Sequence, residues 1–152
     1  MKSNMDFEQT TLGEVCDKIG SGATPRGGDK VYISSGIAQI RSQNVLDYSF
    51  SKQGLVYIDD ESATALNNVT VQSNDVLFNI TGDSVARACI APDWVLPARV
   101  NQHVAIIRAN NKKADNRYLL YTLQYKKDIL LALSSSGATR NAITKGMLSK
   151  LP

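Results

Sequence analysis

The chain has 152 residues, 43% of them hydrophobic and 20% charged, with a formal net charge of +3. It is long enough to bury the core of one domain and too balanced in composition to be disordered or fibrous. No apolar run approaches the roughly 20 residues of a membrane helix, and the opening Met-Lys-Ser-Asn-Met-Asp lacks the hydrophobic stretch of a signal peptide. A soluble, cytoplasmic protein with no membrane partner is expected.

The charge is unevenly spread. From residue 101 onward nine Lys/Arg stand against two Asp/Glu, a balance of +7, whereas residues 1–100 hold eight against twelve, a balance of −4. A basic final third on a slightly acidic body suggests a side that faces a polyanion, although a solvated lysine face on a helix gives the same count. Cys16 and Cys89 form no Cys-x-x-Cys pair and read as buried thiols in a reducing compartment. The sequons at Asn68 and Asn79 carry no weight without a secretion signal.

In chain order, Thr11-Leu12-Gly13-Glu14 has the capping-box pattern, and Leu12, Val15, Cys16 and Ile19 share one helical face. A short amphipathic helix stopped by Gly20 is predicted. The glycine-rich loop Gly20 to Lys30 lacks the lysine and hydroxyl of a phosphate-cradling motif, since Gly28 and Asp29 occupy those positions. Its Arg26 and Lys30 could still lie on a nucleic acid. Val31 to Ile33 and Ile37 to Arg41 read as short strands, the second ending in Arg41-Ser42-Gln43-Asn44. Arg41, Gln43 and Asn44 are side-chain types that match guanine and adenine edges, so they are candidate readers; a solvated turn is the plainer alternative.

Leu55 to Ile58 is predicted as a strand and Asp59 or Asp60 as the cap of a helix through Leu66. Asp75 to Thr81 and Ser84 to Ile90 flank the turn Thr81-Gly82-Asp83-Ser84 and predict a hairpin, with Val76, Phe78 and Ile80 on one face. Arg87, a charge inside a strand, is expected to face solvent or a phosphate. The stretch from Trp94 to Val100, with Pro92 before it and Pro97 inside it, reads as a connector. Asn101-Gln102-His103 then precedes a buried strand, Val104 to Ile107.

After a turn at Asn111 to Asp115, Asn116 is expected to cap a helix from Arg117 to about Leu133. Its buried face would carry Tyr118, Leu119, Leu120, Leu123, Ile129, Leu130, Leu131 and Leu133, leaving Lys126 and Lys127 wet. The chain closes with a small polar loop from Ser134 and a donor-rich edge at Ala138, Thr139, Arg140 and Asn141. A short helix capped by Thr144 follows, with Ile143, Met147, Leu148 and Leu151 toward a core.

Catalytic patterns do not emerge. His103 is the only histidine and has no cysteine near it in sequence, no serine sits in a Gly-x-Ser-x-Gly elbow, and the carboxylates are scattered. Asp59-Asp60-Glu61 reads as an acidic helix start. No catalytic residue, metal or cofactor is expected.

Taken in order, these segments resemble a target recognition domain of the specificity (S) subunit of type I restriction–modification enzymes. Leu12-Gly13-Glu14-Val15 with Gly20-Ser-Gly-Ala-Thr-Pro25 resembles the family's opening helix and glycine/Thr-Pro loop. Gly36-Ile37 with Ile40 to Val45 resembles the next strand and polar turn, and Asn74 to Leu77 leading to Thr81-Gly82-Asp83-Ser84 the central hairpin. Asn101-Gln102-His103-Val104 is similar to the Asn-Gln segment. Ser136 to Thr139, Asn141-Ala142-Ile143 and Leu148 to Pro152 resemble the closing segment. Recognition domains of combined restriction–methylation enzymes share the pattern.

The resemblance implies a single compact α+β domain over residues 1–152: a twisted, mostly antiparallel sheet, short helices packed against it and a longer C-terminal helix. Residues 1–8 would be a flexible tail, with the spacer helix and a second recognition domain absent. It further implies double-stranded DNA as ligand, one half of a bipartite target, and methyltransferase (M) and, indirectly, restriction (R) subunits as partners that carry the chemistry. Backbone contacts are expected from Arg26, Lys30, Arg87, Lys112, Lys113, Lys126, Lys127 and Arg140, and base or polar contacts from Arg41, Gln43, Asn44, Asn101, Gln102, Thr139 and Asn141. A different class of function, an interaction module or regulatory fragment that binds the M subunit without reading DNA, would lean on Met147, Leu148 and Leu151 instead.

Overall fold

The computed structural model describes residues 9–136 and 141–152. The chain enters through α1 (Leu12–Val15) and passes directly into β1 (Cys16–Ser21); a glycine loop and a 3-10 turn lead to β2 (Ile37–Ile40). A second 3-10 turn, Ser42–Asn44, leads to the small hairpin β3 (Val45–Leu46) and β4 (Ser49–Phe50), then β5 (Val56–Ile58) and α2 (Asp60–Ala65). The hairpin β6 (Val76–Asn79) and β7 (Ala88–Ile90) follows, then β8 (Ala98–Val100) and β9 (Val104–Ala109). Three helices close the described chain: α3 (Asn116–Tyr125), α4 (Lys127–Ser136) and α5 (Lys145–Ser149).

The layering follows from the two-residue period of β6 and β9, both buried on both faces. Val76, Phe78 and Ile107 point to one side and pack with Leu119, Leu120 and Leu123 of α3, Leu130 of α4 and Leu148 of α5. Leu77, Val104 and Ile106 point to the other side, against Ala38, Ile40, Ile58, Ala98 and Val100. The four-stranded antiparallel sheet β1-β9-β6-β7 is therefore a middle layer between helices and a three-stranded sheet β5-β2-β8. Burying each large side chain such as Phe78 or Ile106 stabilises the fold by about 1.5–3 kcal/mol. The expected α+β class is what the structure has, with one parallel pair, β2 with β8.

Several expectations change. The predicted helix from Leu12 to Ile19 lasts one turn, and residues from Cys16 form a strand that pairs with β9, Ile19 opposite Ile107. The apolar pattern at 12, 15, 16 and 19 fits a helix, but β9 offers a hydrogen-bonding edge on that side, and a shift in register between Cys16 and Lys18 keeps Ile19 facing inward. The Thr11 capping box is not made; Thr10 Oγ1 donates to Glu14 Oε2 at 2.7 Å instead. The strand expected at Val31 to Ile33 is a 3-10 turn followed by a single bridge from Ile33 to Tyr57. The connector from Trp94 to Val100 contains β8, whose pairing with β2 no local signal announces.

The long helix is broken at Lys126 into two ten-residue helices. Leu130, seven residues beyond Leu123, stays on the face set by Leu119 and Leu123 across the break and is fully buried with them. Tyr118, Ile129 and Leu131, expected inside, are exposed. The cap is Asp115, which accepts from the amides of Arg117 and Tyr118, while Asn116 accepts from Ala109 N and donates to the Asn74 carbonyl. Ser134 to Ser136 are still helical, and Ser134 is buried with its hydroxyl donating to the Leu131 carbonyl, so the polar loop does not start at Ser134. The Asp59 cap of α2 and the Thr144 cap of α5 are as predicted; the hairpin forms, but its second strand is only Ala88–Ile90, residues 84–87 belonging to a longer turn instead of the expected strand.

Candidate nucleic-acid interface

The strand directions bring separate polar segments to one end of the sheets. β2 runs parallel to β8 with Ile40 opposite Val100, and Asn79 at the end of β6 pairs with Val104 at the start of β9. Residues 41–44, 80–87 and 101–103 therefore emerge together. The Gly22 amide donates to the Asn101 carbonyl and Thr24 Oγ1 to Gln102 Oε1 at 2.7 Å, which adds the glycine loop. Gly82 N donates to Asn141 O and Ile143 N to Ile80 O, which adds the segment before α5. Ser42, Gln43, Thr81, Gly82, Asp83, Ser84 and His103 line a recess of about 480 Å³ there.

Buried carboxamides tie these loops to the sheets. Asn44, fully buried, accepts from the Arg41 amide through Oδ1 and donates through Nδ2 to the carbonyls of Ser51 and Gln53. Gln39 donates to the Ala23 carbonyl at 3.0 Å, and Asn79 donates to the Ser42 and Val45 carbonyls and to Ser84 Oγ. Asn101 is also buried, its Oδ1 accepting from the His103 amide. Thr81 Oγ1 and His103 Nδ1 lie 2.5 Å apart, one of them donating.

The sequence-predicted residues thus divide. Gln43, Gln102 and Asn141 are exposed at this end, and Asn141 takes a left-handed backbone with φ of 53°. Asn44 and Asn101 are at the same end but buried, so their atoms cannot reach a base; they hold the loops that carry Gln43 and Gln102. Arg41 is half-buried: Nη2 donates to the Gly54 carbonyl at 2.6 Å, and the guanidinium sits 5.5 Å from the centre of the Tyr32 ring. It braces the neighbouring loop with groups a base reader would keep free.

The basic residues are scattered. Arg26 and Lys30 are exposed on the glycine loop that leaves this end, and Arg87 is exposed just before β7. Lys126 and Lys127 mark the α3–α4 break on the flank. There Gln124 Nε2 donates to Asp47, and Lys127 pairs with Asp47 at 2.6 Å. Partial burial alone would raise the Asp47 carboxyl, but hydrogen bonds from Lys127 and Gln124 and the charges of Lys127 and Arg87 outweigh it and hold the group below its usual value. This half-exposed ion pair is weak and open to competition by a phosphate. Lys112 and Lys113 do not join the cluster. They follow β9 at its far end, about 17 Å along the strand from Val104. There, with Arg108 and Arg117, they line a cleft of about 820 Å³. Thr139 and Arg140 lie outside the described residues.

Sequence reasoning passed over Gln39 and Asn79. The available signal was a carboxamide flanked by apolar residues inside a strand, Ala38-Gln39-Ile40 and Phe78-Asn79-Ile80. Such a residue is costly to bury unless it is paired. Of the two thiols expected to be buried, Cys89 is buried and Cys16 only half-buried; desolvation, joined at Cys16 by the Asp17 charge, pushes Cys16 up to about 11 and Cys89 up to about 12. Among the described residues no cluster of three or more metal-ligating side chains occurs, and no helix is long and apolar enough to cross a membrane.

Known structures share the fold. One comes from work on the structural basis of complex assembly and conformational transition of the type I R-M system (TM-score 0.69, 22% identity, 98% of this chain and 35% of that one). A second is the HsdS subunit from Thermoanaerobacter tengcongensis (TM-score 0.68, 20% identity, 98% and 34%). A third is the type I restriction–modification S subunit from M. genitalium (TM-score 0.62, 14% identity, 99% and 35%). The chain therefore spans about a third of the length of each. No curated protein matches the sequence. A family model described as the type I restriction modification DNA specificity domain matches residues 4–152, nearly the whole sequence, and the chain belongs to that family.

Proposed function

We propose that residues 1–152 form one target recognition domain that reads one half of a bipartite double-stranded DNA site. It would act in the cytoplasm for a complex in which methyltransferase and restriction subunits supply the chemistry. The observation that carries this reading is the convergence of the family-like segments at 22–24, 41–44, 81–84, 101–103 and 141–143 on one end of the sheets. Exposed Gln43, Gln102 and Asn141 have the paired donors and acceptors that recognise base edges. Arg26, Lys30 and Arg87 near that end, with Lys126 and Lys127 on the flank, would supply cations for phosphates. Arg41, Asn44 and Asn101 position the loops. Lys112 and Lys113, at the far end, add only long-range attraction.

Selection of duplexes from a random pool by the chain reconstituted with a methyltransferase subunit tests the proposal. A recovered half-site motif, bound with an affinity that falls as salt rises, is the expected result. On it, Lys127→Ala weakens cognate and scrambled duplexes alike and Gln43→Ala relaxes base preference. Binding indifferent to both salt and sequence would overturn the reading.

One observation favours the second reading, a module that docks on another subunit without reading DNA. Tyr118, Tyr121 and Tyr125 of α3 are exposed, and Tyr121 meets exposed Tyr48 with ring centres 6.0 Å apart. Met147, Leu148 and Leu151 do not provide that surface, because Leu148 and Leu151 are buried and Met147 packs against the core.

A further inference from the structure

Asn79 ends β6 as a carboxamide with 0% exposure, directly after Phe78 in the strand. Its Nδ2 lies 3.0 Å from the Ser42 carbonyl, 3.3 Å from the Val45 carbonyl and 3.0 Å from Ser84 Oγ. Two hydrogens thus serve three acceptors, from chain segments that meet only in the folded protein. Ser42 and Val45 bracket the turn that presents Gln43, and Ser84 belongs to the hairpin turn with Asp83. The Asn79 backbone is itself anchored: its amide donates to Arg87 O at 2.9 Å and its carbonyl accepts from Ala86 N at 2.8 Å. Among the described residues no other hydrogen bond joins residues 42–45 to residues 81–87.

We infer that Asn79 is a positioning residue that sets the placement of the Gln43 turn relative to the 81–84 turn, and through it the base preference of the site. The inference rests on the DNA-reading function proposed above, but its structural half stands without DNA. A hydrophobic or small residue at position 79 would strip the Val45 carbonyl of its Asn79 donor, leave the Ser42 carbonyl with only the Val45 amide, and free the two turns to shift separately. Among the described residues no hydrogen bond joins the two turns directly, so the effect falls on their relative placement, which decides whether several base-edge contacts are met at once. Each lost base match costs about 1–3 kcal/mol, which is roughly 5- to 150-fold.

The test uses the full chain with Asn79→Ala, with Ser84→Ala as a milder variant that removes one acceptor and with Leu119→Ala as a control that weakens the core far from the turns. Amide hydrogen exchange without DNA is the first readout. Asn44 and Val85 amides are expected to exchange roughly tenfold or more faster in Asn79→Ala, both together, and less so in Ser84→Ala. Leu119→Ala should not single them out. The second readout is the ratio of affinities for the selected duplex and a scrambled one. It should fall roughly tenfold or more in Asn79→Ala and stay near the wild-type value in Leu119→Ala. Asn79→Ala with wild-type exchange at both turns, or with a wild-type ratio, overturns the inference. Should Asn79→Ala not fold, Ser84→Ala decides alone: unchanged exchange at Asn44 overturns the inference, and faster exchange there supports it. A wild-type chain that prefers no duplex defeats the DNA-reading function and with it the claim on base preference, while the exchange result still decides the coupling of the turns.

Discussion

Gln43 shows how a single residue is placed by its neighbours. Its amide lies over Gly54, which has φ of 72°, and a Cβ built on Gly54 would overlap Gln43 Nε2. Gly54→Ala therefore has two costs, a left-handed backbone of about 1 kcal/mol and displacement of a candidate base reader. Its expected outcome is a small loss of Tm with a clear change in base preference, measured by the same duplex selection. Asp75 and Arg108 illustrate a purely structural pair at the far end. Asp75 is fully buried, accepts from Arg108 Nε and Nη2 at 2.7 Å each, and also accepts from the Gln72 amide. The Asp75 hydrogen bond in turn raises the Arg108 pKa against the opposing effect of burial. Arg108→Ala strips a buried carboxylate of its counter-charge and should lower stability by about 3–5 kcal/mol in chemical denaturation. A loss below about 1 kcal/mol would show that Asp75 is adequately paired without it.

At the scale of elements, α5 holds the end of the described chain onto the core. Its five residues are too few for independent stability, so burial of Leu148 and Leu151 and the cap carry it. Thr144 Oγ1 accepts from the Met147 amide at 3.1 Å. Thr144→Ala should cost about 1 kcal/mol, seen as a lower Tm and as faster exchange in α5. Because Leu12 N donates to Leu151 O, the same variant should also loosen α1; an effect confined to residues 144–149 would contradict that link. The α3–α4 break is the other element-level feature. Lys127 beside it pairs with Asp47, and Tyr125 is 90% exposed at the end of the stripe of Tyr118 and Tyr121.

For the molecule as a whole, the double-sided burial of the middle sheet has a pH consequence. Cys89 sits in the layer between the two sheets, and burial pushes its thiol up to about 12. In the unfolded chain a thiol ionises near about 8.5. The folded pKa is raised, so the thiol opposes folding only once the unfolded chain begins to lose its proton. Stability is unaffected below about 8.5 and falls as pH rises from there toward 12, by about 1.4 kcal/mol per pH unit at most. Cys89→Ala should flatten the alkaline limb of a Tm-against-pH profile while lowering the plateau through the small cavity it leaves. A profile unchanged in shape would show that Cys89 is better solvated than its burial indicates.

Features settled by neighbours in the sequence were legible there. The Asp59 and Thr144 caps, the hairpin around Gly82-Asp83, the both-sides-buried strand of Val104 to Ile107 and the order of the family-like segments need only a few consecutive residues to specify them. The candidate surface was half legible: residue types singled out Gln43, Gln102 and Asn141, which are exposed at one end, but gave Asn44 and Asn101, which are buried there, the same appearance. Burial separates them, and burial is a property of which strands lie beside which. The same reason covers β1, read as helix because Leu12, Val15, Cys16 and Ile19 fit the helical period, whereas β9 supplies an edge and a register shift between Cys16 and Lys18 accommodates the strand. It covers β8, which becomes a strand through a parallel partner some 60 residues earlier. The sequence by itself determined the class of fold, the family resemblance and the chemistry available. The tertiary structure decided which carboxamides are exposed and which hold loops, because hydrogen-bond partners 34 and 37 residues away exist only once the sheets have closed.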